Sequence, residues 1–574
     1  MAGILDPSII HRKPGPAEDQ PLGQRAAGTG QDQTSDRQSL KLGRMDGSFR
    51  LPKFSFIRSW LAIVSVLAGL TARGRADIVP LTRLTDASAR CMDGTLAGFY
   101  HQRATDAASA ARWVIHMQGG GECVDSVQCA RRFNSSLASS NFFPDYINLT
   151  YDPAAANHTR RAASSAPAPH QHLMFFPGSP SIPPAPGPAP EPQQHTAESS
   201  FKWDKQGWWL CDDSAATNPE FHSWHHVWIP YCSGDLWSGQ KLVPTTLPMP
   251  DGANGSDVNV SVYFSGHRIL GAVLEALDDI GLDDAELIVV SGNSAGGLGM
   301  WLSIDYINER YDNPRVVGVS IAGFYSYSFP YTGPGATASK GLADFRESAW
   351  PSHVRLWDSY MNKRCLKANK AHRWACMLAN YSYPYVVTPV FIAEALTDSL
   401  QLDAHNQLPA ADEWGPLAQA YIKEFSANMS AALQAVPVLS KDVVAEGAHG
   451  VFGVACFIHD DFTFSSPLIG ARNFKSQILA WLSLGDNVTR ACLSLDTCGV
   501  MCNPSCSAGS LPLDALGHWR MRQKREGHKQ RWRKVWSGRA KGRLRQGSLT
   551  KAARHPQDGR VLEEQDWSVE SIVM

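Results

Sequence analysis

The sequence predicts an α/β fold in which a mostly parallel central sheet is covered by helices on both faces. Three observations carry that expectation. Short apolar runs rich in branched residues alternate along the chain with segments whose apolar residues recur at helical spacing, the pattern of buried strands joined by crossover helices. The 574 residues are 43% hydrophobic and include 18 tryptophans, enough for a large packed core. The apolar run Leu287–Val290 also passes through Gly292-Asn293-Ser294-Ala295-Gly296 straight into a segment able to open a helix, giving strand, tight turn and helix in immediate succession.

The first 44 residues are polar and rich in Gly, Pro and Gln, a composition with too little apolar surface to fold, so 1–44 is expected to be a disordered extension. Arg50, Lys53 and Arg58 then precede an apolar stretch that ends at Leu70. A basic flank and about a dozen apolar residues have the dimensions of a signal peptide and fall short of a spanning helix. Gly74-Arg75-Ala76 ends in a small residue suited to cleavage. Residues 45–76 are therefore read as a signal peptide with translation starting at Met45, or as a signal-anchor if uncleaved; no other membrane span is expected.

A single body is expected over 77–512. Trp113–Gln118 reads as a buried strand and is followed at once by Gly119-Gly120-Gly121-Glu122-Cys123. Ten prolines between Pro167 and Pro192 mark 160–200 as an extended, solvated insertion, since proline cannot donate to a sheet or helix ladder. Ile269, Leu270, Val273, Leu274 and Leu277 lie at helical spacing ahead of the Leu287 strand, and Val316–Ala322 and Pro389–Ala395 are further strand candidates. Leu417, Tyr421, Phe425, Met429 and Leu433 recur every fourth residue, as on an amphipathic helix.

Charge is unevenly placed. Arg520–Arg554 carries fourteen Lys/Arg against the single acid Glu526, which leaves 39 basic and 53 acidic residues elsewhere. An acidic body is a poor partner for nucleic acid, and 513–574 is expected to be a disordered basic tail. Twelve cysteines, without paired C-x-x-C motifs at zinc spacing, accompany eight Asn-x-Ser/Thr sequons, all in the body. Cys498-x3-Cys502-x3-Cys506 is spaced for a metal but has no histidine close behind it. The expectation is a disulfide-bonded, glycosylated, secreted protein with no metal or organic cofactor.

A serine on a strand-to-helix turn projects its hydroxyl into a cleft, where the helix N-terminus and the Ala295 amide favour a developing oxyanion. Ser294 would then need a base and an orienting acid, which follow the serine in the order Ser, Asp/Glu, His in α/β-hydrolases. Asp398 lies just after the Pro389–Ala395 strand, where such sheets place catalytic groups. His449 and His459 both follow it, and spacing does not choose between them. Gly119, Gly120 and Gly121, after another strand, are positioned to supply further backbone donors.

The body resembles the pectin acetylesterase family, which also contains the animal deacylase Notum. The resemblance rests on Cys91-Met-Asp-Gly-Thr-Leu-Ala-Gly-Phe-Tyr100, Gly119-Gly-Gly-Glu-Cys123, Tyr231-Cys-Ser-Gly-Asp-Leu-Trp-Ser-Gly239, Tyr263-Phe-Ser-Gly-His-Arg-Ile269, the Ser294 elbow, Thr397-Asp-Ser-Leu-Gln401 and Val451-Phe-Gly-Val-Ala-Cys-Phe-Ile-His459. It implies an α/β-hydrolase-like fold and a catalytic triad of Ser294, Asp398 and His459. The oxyanion donors it implies are Gly119–Gly121 and Ala295. Asn293 and Asp460 stand where plant members carry cysteines. Glu122 replaces an aromatic residue beside the acyl pocket, which suggests substrate contact and a short acyl group. The implied substrate is an O-acetyl ester of cell-wall polysaccharide such as pectin. The alternatives are a Notum-like deacylase of a lipidated protein and a catalytically silent glycan-binding protein.

Overall fold

The structure is a computed structural model. It describes residues 78–148, 208–212, 214–250, 257–326, 328–336, 349–439, 449–463, 465–484 and 493–506. The expected N-terminal extension (1–44), signal segment (45–76), Pro-rich insertion (160–200) and basic tail (513–574) lie outside the described residues.

The strands, in chain order, are β1 (Ile78–Arg83), β2 (Gly98–Gln102), β3 (Arg112–Met117), β4 (Tyr146–Asn148), β5 (His225–Ile229), β6 (Thr245–Pro250), β7 (Asp257–Val262), β8 (Leu287–Asn293), β9 (Arg315–Ile321), β10 (Val390–Ala395), β11 (Gly450–Val454), β12 (Leu468–Ile469), β13 (Arg472–Asn473) and β14 (Leu493–Leu495). Ten of them form one sheet in the order β14-β11-β10-β9-β8-β3-β5-β2-β1-β4. From β14 to β5 every neighbour is parallel; β2, β1 and β4 add an antiparallel edge. That edge and the separate β6–β7 ribbon are additions to the expected parallel sheet. Pro248 and Pro250 within β6 obscure its pattern, because proline is kept out of central strands.

Alternation along β8 shows why the parallel strands read as unbroken apolar runs. Ile288 and Val290 pack into one hydrophobic cluster with Ile115 and Leu298, whereas Val289 packs into a second with Val114, Val317 and Phe391. Successive side chains point to opposite faces and both faces are covered, so apolar residues run on without the alternation of a half-exposed strand.

Helix α1 (Ser126–Ala130) is a single turn, followed by α2 (Gly266–Asp278), α3 (Ala295–Asn308), α4 (Pro416–Leu439) and α5 (Phe474–Leu484). On α2 the expected stripe Ile269, Leu270, Val273, Leu274 and Leu277 is fully buried. On α4 the buried stripe is Ala418, Ile422, Phe425, Met429, Leu433 and Val436, while Leu417 is exposed. Strict four-residue spacing drifts about 40° per step around a helix of 3.6 residues per turn, so the line through Leu417 leaves the buried face.

Ten of the cysteines pair as Cys91–Cys232, Cys123–Cys129, Cys365–Cys376, Cys456–Cys506 and Cys498–Cys502. The run with metal-like spacing is therefore divided between two disulfides. Cys211 is free and buried, and Cys492 lies outside the described residues. Among the described residues no helix is long and apolar enough to cross a membrane.

Candidate active site

Ser294 stands between the last residue of β8 and the first of α3, with φ 53° and ψ −123°. A side chain rarely adopts that conformation, and the surrounding packing holds it. The Ser294 amide donates to the Ile321 carbonyl at 2.8 Å, fastening the turn to β9. A Cβ on Gly296 would lie 2.0 Å from the Met117 carbonyl oxygen, so only glycine lets the start of α3 press against the end of β3. The turn sets the hydroxyl at the C-terminal edge of the sheet and leaves Ala295 as the first amide of α3, one of the donors a helix start cannot use internally.

Two other loops at that edge complete a line of short contacts. His459, five residues beyond β11, places Nε2 2.7 Å from Ser294 Oγ and Nδ1 2.7 Å from Asp398 Oδ2. Asp398 is fully buried just past β10, and its other oxygen accepts from the Gln401 amide at 2.8 Å. Burial by itself would lower the His459 pKa. The Asp398 carboxylate outweighs it, with Asp460 and Asp461 adding to the effect, and the value is carried up to about 9. His449 is brought to none of these groups. It is buried ahead of β11, accepts from the Val390 amide at 3.0 Å and lies against Trp301.

The glycine loop after β3 reaches the same place, with one correction. The Gly119 amide donates to Asn293 Oδ1 at 3.1 Å, so its hydrogen is already committed and the donor role expected of Gly119 is not open to it. Gly120 and Gly121 both have left-handed backbones, φ 151° and 64°. Arg132, buried, donates at 2.8 Å to the carbonyls of Gly120 and of Glu122. A trans peptide points its N–H away from its C=O, so pinning the Gly120 carbonyl also fixes the direction of the Gly121 amide. The Tyr231–Gly239 block buttresses this loop from behind: Cys123 N donates to the Gly234 carbonyl at 2.9 Å, and Trp237 Nε1 to that of Gln118 at 3.0 Å.

Behind Ser294 the amide of Asn293 is hydrogen-bonded at both ends. Nδ2 donates to Asp460 Oδ2 at 2.8 Å, while Oδ1 accepts from Gly119 N and from His116 Nε2 at 3.2 Å. A hydrogen bond thus joins the residue before Ser294 to the residue after His459.

Glu122 is fully buried, with Oε1 3.7 Å from Nδ1 of the equally buried His405. Tyr325, also buried, packs its ring against His405 and lies with its hydroxyl 3.3 Å from Ser294 Oγ. Beneath Asp398, the buried Glu394 accepts from the Phe324 amide at 2.9 Å and shares a hydrogen bond with the Asp398 side chain. Burial, and then the charge of Asp398, push the Glu394 carboxyl well above the usual carboxylate range. Sequence reasoning missed Tyr325, His405, Arg132 and Glu394. Only Tyr325 carried a usable signal, since it closely follows the end of a predicted parallel strand.

The profile of the pectinacetylesterase family matches residues 72–152 and 190–507, most of the chain. Among characterised relatives, the palmitoleoyl-protein carboxylesterase Notum of Drosophila melanogaster is 28% identical over 333 residues, which is 56% of this chain and 38% of Notum. Pectin acetylesterase 5 of Arabidopsis thaliana is 22% identical over 448 residues, covering 75% of this chain and 85% of the plant protein. The chain thus spans well under half of the fly protein and most of the plant one. The solved structure of the Wnt deacylase Notum from Drosophila superposes with a TM-score of 0.53 at 23% identity, covering 75% of this chain and 100% of that one, a likeness of fold. A largely parallel sheet, a strained serine between β8 and α3, and a profile match running from before β1 past β14 lead to one conclusion: the chain belongs to the pectinacetylesterase family.

Proposed function

We propose that the protein is a secreted serine carboxylesterase that removes short acyl groups, acetyl above all, from O-acetylated polysaccharide. The observation that carries this reading is the line Ser294 Oγ, His459 Nε2, His459 Nδ1, Asp398 Oδ2, with both links at 2.7 Å. His459 takes the hydroxyl proton as Ser294 Oγ bonds to the acyl carbon. The carbonyl oxygen becomes an oxyanion held by the amides of Ala295, Gly120 and Gly121. The bond from acyl carbon to sugar oxygen breaks, and His459 returns the proton to that oxygen. Water then attacks the acyl-enzyme, gives a proton to His459, and carboxylic acid leaves as Ser294 Oγ regains its hydrogen. Asp398 holds the imidazole in register and stabilises its charged form. The unbroken line of contacts also argues against a silent glycan-binding protein.

Relatives named as palmitoleoyl-protein carboxylesterases make the removal of a long acyl group from a protein the competing reading. Glu122, His405 and Tyr325 favour the short group. A hydrocarbon chain laid among these buried polar side chains would displace partners they have without replacing them, which costs several kcal/mol, whereas acetyl adds only one methyl group. The sequons Asn134, Asn259 and Asn428 stand exposed, as a glycosylated secreted protein requires. The test is release of acetate from acetylated pectin, run beside p-nitrophenyl esters from acetyl to decanoyl and a palmitoleoylated peptide. The expected outcome is acetate release and a decline in kcat/KM beyond about four carbons. Equal or rising kcat/KM with chain length would move the deacylase reading to first place.

A further inference from the structure

The geometry points to Asn293 as a positioning residue whose single amide locks together the serine turn, the glycine loop and the histidine loop; this rests on the catalytic reading of Ser294. Asn293 is the last residue of β8 and is almost wholly buried. Its Oδ1 takes the Gly119 amide at 3.1 Å, so the glycine loop is registered on the residue beside the nucleophile. Its Nδ2 gives to Asp460 Oδ2 at 2.8 Å, so the residue after His459 is registered on the same amide. The orientation of that amide is itself fixed. His116 and Ser291, paired across β3 and β8, lie on the same side as Asn293, with His116 Nδ1 2.8 Å from Ser291 Oγ and Nε2 3.2 Å from Asn293 Oδ1.

Burial lowers the His116 pKa to about 4, so the ring is neutral and carries one hydrogen. An amide oxygen only accepts, which puts that hydrogen on Nε2 and leaves Nδ1 to accept from the Ser291 hydroxyl. The chain of donation is then Ser291 to His116 to Asn293 Oδ1, with Gly119 joining there and Asn293 Nδ2 leading to Asp460. Only a side chain that carries an acceptor and a donor on one rigid plane serves both loops. A carboxylate at this position would face Asp460 with like charge, and an alkyl group would leave Gly119 N and Asp460 without this partner.

The test measures kcat and KM on p-nitrophenyl acetate, the pH profile and the thermal midpoint for wild type, N293A, D460A and D460N. N293A is expected to lower kcat by about 30- to 100-fold with KM within threefold, the size of loss that a misplacement near 1 Å brings. D460A is expected to lose about tenfold. D460N still offers Asn293 an oxygen and is expected to recover most of kcat, while the acid limb of its pH profile moves down because a negative charge beside His459 is gone. N293A within threefold of wild type in kcat, or D460N losing as much as D460A, would overturn the proposal. If N293A does not fold, the D460A and D460N pair decides. A wild type inert towards both the ester and a fluorophosphonate probe would instead remove the catalytic reading, and this role with it.

Discussion

His449 and His459 stand at opposite ends of β11, ten positions apart, and both are largely enclosed by protein. At the N-terminal end, His449 meets a backbone amide and the face of Trp301, and burial lowers its pKa to about 4. At the C-terminal end, His459 has Asp398 at 2.7 Å with Asp460 and Asp461 nearby, and its pKa rises to about 9. Desolvation acts downward on both. The difference comes from what the neighbouring strands deliver at each end. Parallel strands release their loops at a common edge, so β8, β10 and β11 bring a serine, an aspartate and a histidine to one point. At the other end the chain only has to satisfy backbone groups. Burial makes a histidine structural; a carboxylate beside it makes it a candidate for proton transfer.

The largest effect that would break this contrast is a swap of roles. S294A and H459A are each expected to lower kcat/KM for p-nitrophenyl acetate by roughly 10⁴-fold or more, because members of such a group act as a unit. H449A should keep most turnover yet unfold earlier, since the Val390 amide loses its acceptor, a loss of about 1–3 kcal/mol. Thermal melts beside the kinetics separate the two outcomes. Exchange of the two histidine phenotypes would place the base at the wrong end of β11.

A second test sharpens the electrostatics. A base must be neutral to accept a proton, so a His459 pKa of about 9 predicts that kcat/KM climbs with pH through that value. The same shift has a linkage consequence. The pairing stabilises the fold in full below the ordinary histidine value of about 6.5, and the contribution is lost as pH rises through about 9. Glu394 decides how much negative charge stands behind Asp398. Burial and then the Asp398 charge raise its carboxyl well above the usual carboxylate range, which favours the protonated form that can donate to that carboxylate. E394Q keeps a donor and no charge, so its acid limb should stay where it is and kcat should hold within about threefold, while E394L should lose about tenfold or more. A limb that drops in E394Q would mean that Glu394 is ionised.

Much of this was legible in the sequence, for a physical reason. Strands covered on both faces are apolar over most of their length, so Leu287–Val290 and Val316–Ala322 announce themselves, and the turn at Ser294 needs glycines for close approach. The antiparallel edge was not legible, because β1 has an exposed and mixed face, and β4 spans three residues. In the site, Asp398 was readable from its place after a strand. His449 and His459 were not separable until the carboxylate was located, since pattern records burial and not the neighbour's charge. Glu394 sits inside an apolar strand, where a lone acid reads as an interruption; its partner lies four residues on. Arg132 acts through carbonyl groups of the glycine loop, a kind of partnership that side-chain spacing does not encode.

The smallest expected effect concerns a third buried histidine. His405 also has a carboxylate, but at 3.7 Å, in place of the 2.7 Å contact of the His459 pair. On the short-acyl reading proposed above, the Glu122–His405 pair would keep polar a wall that an extended acyl chain needs to be apolar. Replacing a buried pair by apolar groups of similar size is often neutral or stabilising, so E122M/H405L is expected to fold. Along the p-nitrophenyl series, wild type should gain nothing from methylenes beyond about the fourth. Each such methylene should be worth up to about fourfold in kcat/KM in the double variant, the equivalent of about 0.8 kcal/mol of burial. Activity on the acetyl ester provides the internal reference. A double variant whose chain-length profile overlays that of wild type, with acetyl turnover intact, would show that Glu122 and His405 serve the fold alone and that the limit on acyl length lies elsewhere around Ser294.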